Sequence, residues 1–230
     1  MDPGFDILYE DGPCLVIGKH AGVLTQAPRG VDSLEVRIKE FLKQRDGGSE
    51  DVYLGLPHRL DRPASGVMIF AKDYNTTRRL GEQFEKRKVH KVYWACAQGQ
   101  ITPETGTWED FLYKIPGEAR AVVVGPDHPQ GRTAVLHYRV LATAAWCTWL
   151  EITLETGRTH QIRVQASSRG YPLLGDAQYG ATVPLGIQYE DVRLRPIGLH
   201  ARSLTFRHPV SKEPVTVTAP APEYWPAIEM

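Results

Sequence analysis

The 230-residue sequence predicts an α+β fold built on a mixed, mostly antiparallel sheet. Three observations support this. Short apolar or alternating runs that read as strands outnumber the helical stripes. Many of these runs follow one another directly across Gly, Pro and Asp turns. No fixed-period repeat and no low-complexity segment interrupts them.

In chain order, residues 7–10 and 14–19 (CLVIGK) read as two short strands joined by Glu-Asp-Gly-Pro turn chemistry. Between 31 and 45, Leu34, Ile38, Phe41 and Leu42 fall on one helical stripe, with Asp32 and Glu35 as a capping-box-like start and Gly47-Gly48 as the stop. A strand over 53–56 leads into a charged loop and then into the apolar run 67–70, which reads as a buried strand. Asp73 caps a second helix to about residue 86, with Thr77, Leu80 and Phe84 facing inward. Strands follow at 88–98, 107–113, 119–124, 132–141 and 146–154. Thr159 is placed to cap a short third helix to Ser168, closed by Gly170, and strands at 199–206 and 215–218 finish the chain.

Bulk properties exclude several classes. Three scattered cysteines, Cys14, Cys96 and Cys147, are odd in number and form no C-x-x-C pair. That argues against a disulfide framework and against a zinc site, and fits a reducing compartment. The acidic start MDPGFDILYEDG has no apolar core of a signal peptide, and the longest uncharged apolar run is too short to cross a bilayer, so a cytoplasmic protein is expected. Formal net charge is zero, yet Lys and Arg are sorted: residues 78–91 carry +4, 158–169 carry +3 and 193–207 carry +4. A basic groove on an acidic body and a set of solvated helix faces both account for that sorting.

Chemistry concentrates in two stretches. In PHRLDRPASGVMIFAKD, His58, Arg59, Asp61 and Arg62 precede a core strand, which places charged groups on a rigid support. Spacing alone leaves Asp61 either a turn residue paired with a neighbouring arginine or a reactive carboxylate. In LETGRTHQIRVQASSRGYPLLGDAQYG, His160, Arg163 and Ser167 share one helical face, which is either a solvated basic side or a functional one. A serine hydrolase built on Ser65, His58 and Asp61 is disfavoured, because the serine sits in A-S-G-V rather than G-x-S-x-G.

These stretches resemble the signatures of the RluA-type RNA pseudouridine synthases: H-R-L-D with a following T-S-G and apolar strand, G-R-x-H-Q-I/L-R-V-H, then G-x-P-I/L-x-G-D-x-x-Y. HKVYWA at 90–95 is similar to the family's K-x-Y-x-A strand, and LHARSLTFRHP at 199–209 to its L-H-A-x-x-L-x-F/I-x-H-P. The resemblance implies a pseudouridine-synthase-like α+β domain over 1–230 with a central cleft and no separate N-terminal RNA-binding module. It implies Asp61 as catalytic, Arg163 as its partner and Tyr93 as the ring that stacks on the target uracil. It further implies substrate contacts from Arg59, His58, Arg62, Leu199, His160 and Arg158, with Arg59 filling the stack vacated by a flipped base. No cofactor and no metal are implied, since the isomerisation consumes no external reagent. The expected partner is RNA, an rRNA or tRNA stem-loop, with the protein acting as a monomer and no membrane involved. An RNA-binding or folding helper of the same fold is the alternative, though a pure binder has no need of Asp61, Tyr93 and Arg163 together. Three departures stand out: Ala64 where threonine is usual, His20 in KHAG for K-P-x-G, and Gln165 for the histidine after R-V.

Overall fold

The computed structural model describes residues 3–47 and 52–226, and these form two compact units. The first comprises the chain to Lys91, residues 189–194 and residues 200–222; the second takes 92–188, 195–199 and the chain from Glu223.

In the first unit, β1 (Phe5–Asp11) pairs antiparallel with β2 (Cys14–Lys19), and β2 with β3 (Ser65–Ala71). β3 meets β9 (Leu199–Arg207) in parallel through Ser65 and Gly66, and β10 (Pro214–Thr218) pairs antiparallel with β9. Every residue of β2 and β3 is buried, because both faces are covered. Leu15, Ile17, Met68 and Phe70 pack on α1 (Leu34–Asp46) through Leu34, Ile38 and Leu42. Val16, Val67 and Ile69 face the opposite cluster, with Leu80 of α2 (Tyr74–Glu85) and Leu204, Phe206 and Val217 from β9 and β10. The period of two along each strand therefore feeds two cores at once.

The second unit is antiparallel throughout: β4 (His90–Gln98) pairs with β8 (Cys147–Leu154), β8 with β7 (Arg132–Thr143), β7 with β5 (Thr105–Lys114), and β5 with β6 (Ala121–Val124). The short helix α3 (Gln161–Ser168) covers one face through Val164, which clusters with Leu112, Ala134 and Tyr179. The mixed, mostly antiparallel sheet expected from the sequence is present.

Local corrections have physical causes. Residues 53–56 form no strand: Gly55 makes a single bridge to Ala71, and Pro57 then has no N–H to continue it. The first helix is capped by Ser33, whose hydroxyl accepts from Val36 N, while Asp32 is taken by Arg37 in an ion pair. Of its stop signal, Gly47 adopts the left-handed conformation at φ +62°, and Gly48 lies outside the described residues. Asp73 caps α2 as expected, accepting from Thr76 N at 2.8 Å, but Thr76 rather than Thr77 takes the buried position. Thr159 does not cap α3. His160 enters that position in the left-handed region at φ +53°, and the Gln161 side chain holds the turn by accepting from Arg158 N and Thr156 Oγ1.

Gly66 is the tightest point of the β3–β9 pairing. Its φ is +116°, and an added Cβ would lie 2.3 Å from Ala201 O and 2.5 Å from Ala201 N. Backbone cannot yield as a side chain can, so Gly66→Ala is expected to destabilise the protein by about 3 kcal/mol or more. Urea unfolding of the variant measures this.

Candidate active site

The His58–Ala64 loop is tied down from three directions. Lys19 ends β2 and is 1% exposed; its Nζ donates to the carbonyls of His20 (3.0 Å), Arg62 (3.0 Å) and Ala64 (2.7 Å). Thr25 Oγ1 donates to Leu60 O at 2.8 Å and accepts from Leu60 N at 3.3 Å. Gly22 N donates to Arg62 O, while Arg62 Nε donates back to Gly22 O at 2.9 Å. Gly22 itself needs its φ of +86°, because a Cβ would stand 2.9 Å from Leu194 O. So the lysine and the glycine of KHAG both serve the same loop.

Asp61 sits half-buried at the turn of this loop, its carbonyl accepting from Ala64 N at 3.1 Å. Its carboxylate lies close enough to favour the Lys19 ammonium. Burial dominates, however, and together with Arg62 it lowers the Lys19 pKa to about 7. His58 is a loop anchor in its contacts. Its ring stacks on Phe84 at 4.5 Å and its Nε2 accepts from Ile69 N at 3.0 Å, which requires the neutral ring with the proton on Nδ1. Burial, aided by Lys91, brings its pKa down to about 3, so it stays neutral at physiological pH. Arg59 is exposed at the loop surface. Ser65 is buried and its Oγ is 2.9 Å from His200 Nδ1, away from any arrangement that would make it a nucleophile with His58.

The second unit holds the other group of predicted residues. Arg163, on the first turn of α3, is 3% exposed. It makes a bidentate pair with Asp176, Nε to Oδ2 at 2.7 Å and Nη2 to Oδ1 at 2.8 Å, and Nη2 also reaches Gln178 Oε1 at 2.9 Å. Its guanidinium lies 4.9 Å from the centre of the Tyr179 ring. The Tyr179 hydroxyl meets His160 Nδ1 at 2.9 Å and accepts from Ala121 N at 2.9 Å, joining α3 to β6. Arginine at this position is thereby aimed by a carboxylate, an amide and an aromatic face. Tyr93 is half-buried on β4, opposite Ile152 of β8. Leu199 is buried at the start of β9, and Arg158 is exposed with Nε donating to Thr133 O at 2.9 Å.

Within the first unit the structure therefore assembles His58, Arg59, Asp61 and Arg62; within the second it assembles His160 and Arg163 around Tyr179. Sequence reasoning missed Lys19, Thr25, Asp176, Gln178 and Tyr179 as supports. The signal for Asp176 and Tyr179 was available, since they are the D and Y of G-D-x-x-Y. Of the three departures, Ala64 is fully buried and bonded through its backbone, His20 pairs with Asp6 at 2.9 Å, and Gln165 is buried with Nε2 donating to Asp110 at 2.7 Å but its Oε1 without a hydrogen-bond partner among the described residues.

The fold is thus an α+β one, with a clamped aspartate loop in the first unit and an oriented buried arginine in the second. The profile described as RNA pseudouridylate synthase matches residues 13–168, and the chain belongs to that family, in its RluA-type branch. An uncharacterized RNA pseudouridine synthase of Synechocystis sp. is 34% identical over 226 residues, covering 96% of this chain and 66% of that protein. The ribosomal large subunit pseudouridine synthase D of Xanthomonas campestris pv. campestris is 36% identical over 230 residues, covering 97% of this chain and 68% of that protein. The chain thus spans about two thirds of the length of these curated relatives. Among solved structures, human RNA Pseudouridylate Synthase Domain Containing 4 aligns with a TM-score of 0.76 at 25% identity, over 95% of this chain and 89% of that one. Among the described residues no helix is long and apolar enough to cross a membrane.

Lys19 generates a prediction with a defined sign. Its folded pKa, about 7, is below the value of a free lysine, so between roughly pH 7 and 10 the unfolded chain binds the extra proton. Stability from this group then rises with pH across that window, by at most about 1.4 kcal/mol per unit. Lys19→Met removes this slope and strands buried carbonyls, lowering stability at neutral pH by about 1–3 kcal/mol. Denaturant titrations of both proteins from neutral to alkaline pH measure it.

Proposed function

We propose that this chain isomerises specific uridines in structured RNA, ribosomal or transfer, to pseudouridine, with Asp61 as the reacting carboxylate. The observation that carries this reading is the clamping of the Asp61 loop by Lys19, Thr25 and Gly22, which fixes a carboxylate on a core strand in a chain of this family. In the reaction the bond between N1 of uracil and the anomeric carbon breaks. The freed uracil turns, a bond forms from its C5 to the sugar, the C5 proton is lost and N1 takes up a proton, so product and substrate are isomers. No external reagent is consumed. One carboxylate beside the sugar meets the requirement, as nucleophile or as base.

In this reading Arg163 pairs with Asp61, offsetting the desolvation that follows when RNA seals the site, and Asp176 and Gln178 hold the guanidinium in its plane. A base inside a stem must be flipped, which costs a few kcal/mol. Stacking on Tyr93 returns roughly 1–3 kcal/mol. Leu199 forms an apolar wall beside the base, and Arg59 fills the vacated stack. Arg158 and His160 serve the RNA strand, while His58 and Arg62 act on it through the loop they anchor. The protein works as a monomer in the cytoplasm.

Asp61→Asn is expected to keep RNA affinity within about twofold while forming no pseudouridine; Tyr93→Phe keeps most of the stacking and hence substantial activity. Mapping pseudouridine in total RNA by chemical modification and primer extension, with and without each variant, reads both. Normal product from Asp61→Asn would remove the carboxylate from the mechanism. RNA-chaperoning activity intact in that variant with no product from the wild type would favour the helper reading.

A further inference from the structure

A second cationic site lies wholly within the second unit, on the part of its sheet that α3 leaves uncovered. Val164 and Tyr179 cover Leu112 and Ala134, and beyond the N-terminal end of α3 the same face opens into a cleft of about 380 Å³. Its floor is apolar, from Leu112 and Ala121. Three cations line it: Lys114 from β5, Arg132 from β7 and Arg158 from the loop before α3.

Strand register places these groups together. Leu112 is the cross-strand partner of Arg132 and Lys114 of Ala121, so Lys114 and Arg132 are diagonal neighbours on one face. Diagonal residues stand roughly 7–8 Å apart, close enough for like charges to repel. No carboxylate lines the cleft, and among the described residues none lies within ion-pair distance of Lys114, Arg132 or Arg158. Arg158 is further oriented by donating Nε to Thr133 O, beside Arg132. Three other arginines of this unit are paired: Arg139 with Glu151, Arg169 with Asp110 and Arg163 with Asp176. Three exposed cations without a carboxylate partner around an apolar floor match an anion that also has an apolar part.

The geometry points to a phosphodiester step of the RNA strand as the occupant: a phosphate on Lys114, Arg132 and Arg158, its nucleoside against the apolar floor at Leu112 and Ala121. The volume lies at the small end of ligand clefts, roughly 300–1,000 Å³, which suits one nucleotide. This inference rests on the proposed activity on RNA and adds to Arg158 two cations, Lys114 and Arg132, from outside the stretches that are basic in sequence. Because Arg158 and Arg163 flank the start of α3, a phosphate held here sets the register of the strand relative to the arginine of the proposed active site.

The test is a salt series of binding to a large-subunit ribosomal RNA transcript, comparing wild type, Lys114→Ala/Arg132→Ala and Arg139→Ala. Each lost phosphate contact reduces the slope of log K against log salt by about 0.7–0.9, so the double variant, which strips two of the three cations from one phosphate, should lose about 0.7–0.9 and bind several-fold more weakly at moderate salt. Arg139→Ala, which removes an exposed cation of the same strand, keeps the wild-type slope. An unchanged slope in the double variant, or an equal loss in Arg139→Ala, overturns the proposal. So does loss of uridine monophosphate binding with RNA affinity intact, which would make the cleft a free-nucleotide site. The slope is read from binding alone and decides the cleft whether or not product forms; absence of product from the wild type counts against the activity instead.

Discussion

A single buried ammonium organises the first unit. Lys19 emerges from a strand covered on both faces and spends its three protons on three carbonyls, two of them in the loop that carries Asp61. Burying a cation costs several kcal/mol unless every donor is met. Here the loop meets them, so the loop conformation and the burial of the lysine stabilise each other. A neutral amine has one donor fewer and would leave a carbonyl short, which couples the protonation of Lys19 to the rigidity of the aspartate turn.

The second unit solves the same problem with an anion. Arg163 is almost fully buried, and its charge is met by Asp176, Gln178 and the face of Tyr179. Tyr179 in turn ties α3 to β6 through its hydroxyl, so a short helix with little intrinsic stability is held at both ends by polar contacts. In each unit a charged group is made rigid by satisfying it, and a rigid charge is what a reaction at a sugar's anomeric carbon needs. The uncovered face beyond α3 follows the opposite rule: its cations are left unneutralised by carboxylates among the described residues.

Most of the secondary structure was legible from period and punctuation. The strand 14–19 and the caps at Asp73 and Gly47 follow from apolar runs, turn residues and the αL preference of glycine. The failures were local and of one kind. Residues 53–56 look extended but have only one partner residue, Ala71, before Pro57 removes the next donor. Thr159 is a good capping type, yet Gln161 reaches the same backbone groups and leaves it unused. Hydrogen-bond competition of this sort depends on where side chains from elsewhere arrive, which spacing does not report.

Taken alone, the amino-acid order determined the fold class, the apolar stripes and the family signatures around Asp61 and Arg163, because these are encoded in residues near one another in the chain. Tertiary structure alone decided that Lys19, forty-two residues before Asp61, holds its loop, that Asp176 rather than a near neighbour orients Arg163, and that Lys114, Arg132 and Arg158 share one face. Those pairings are set by strand register and by the burial of charge, and both exist only once the sheet has formed.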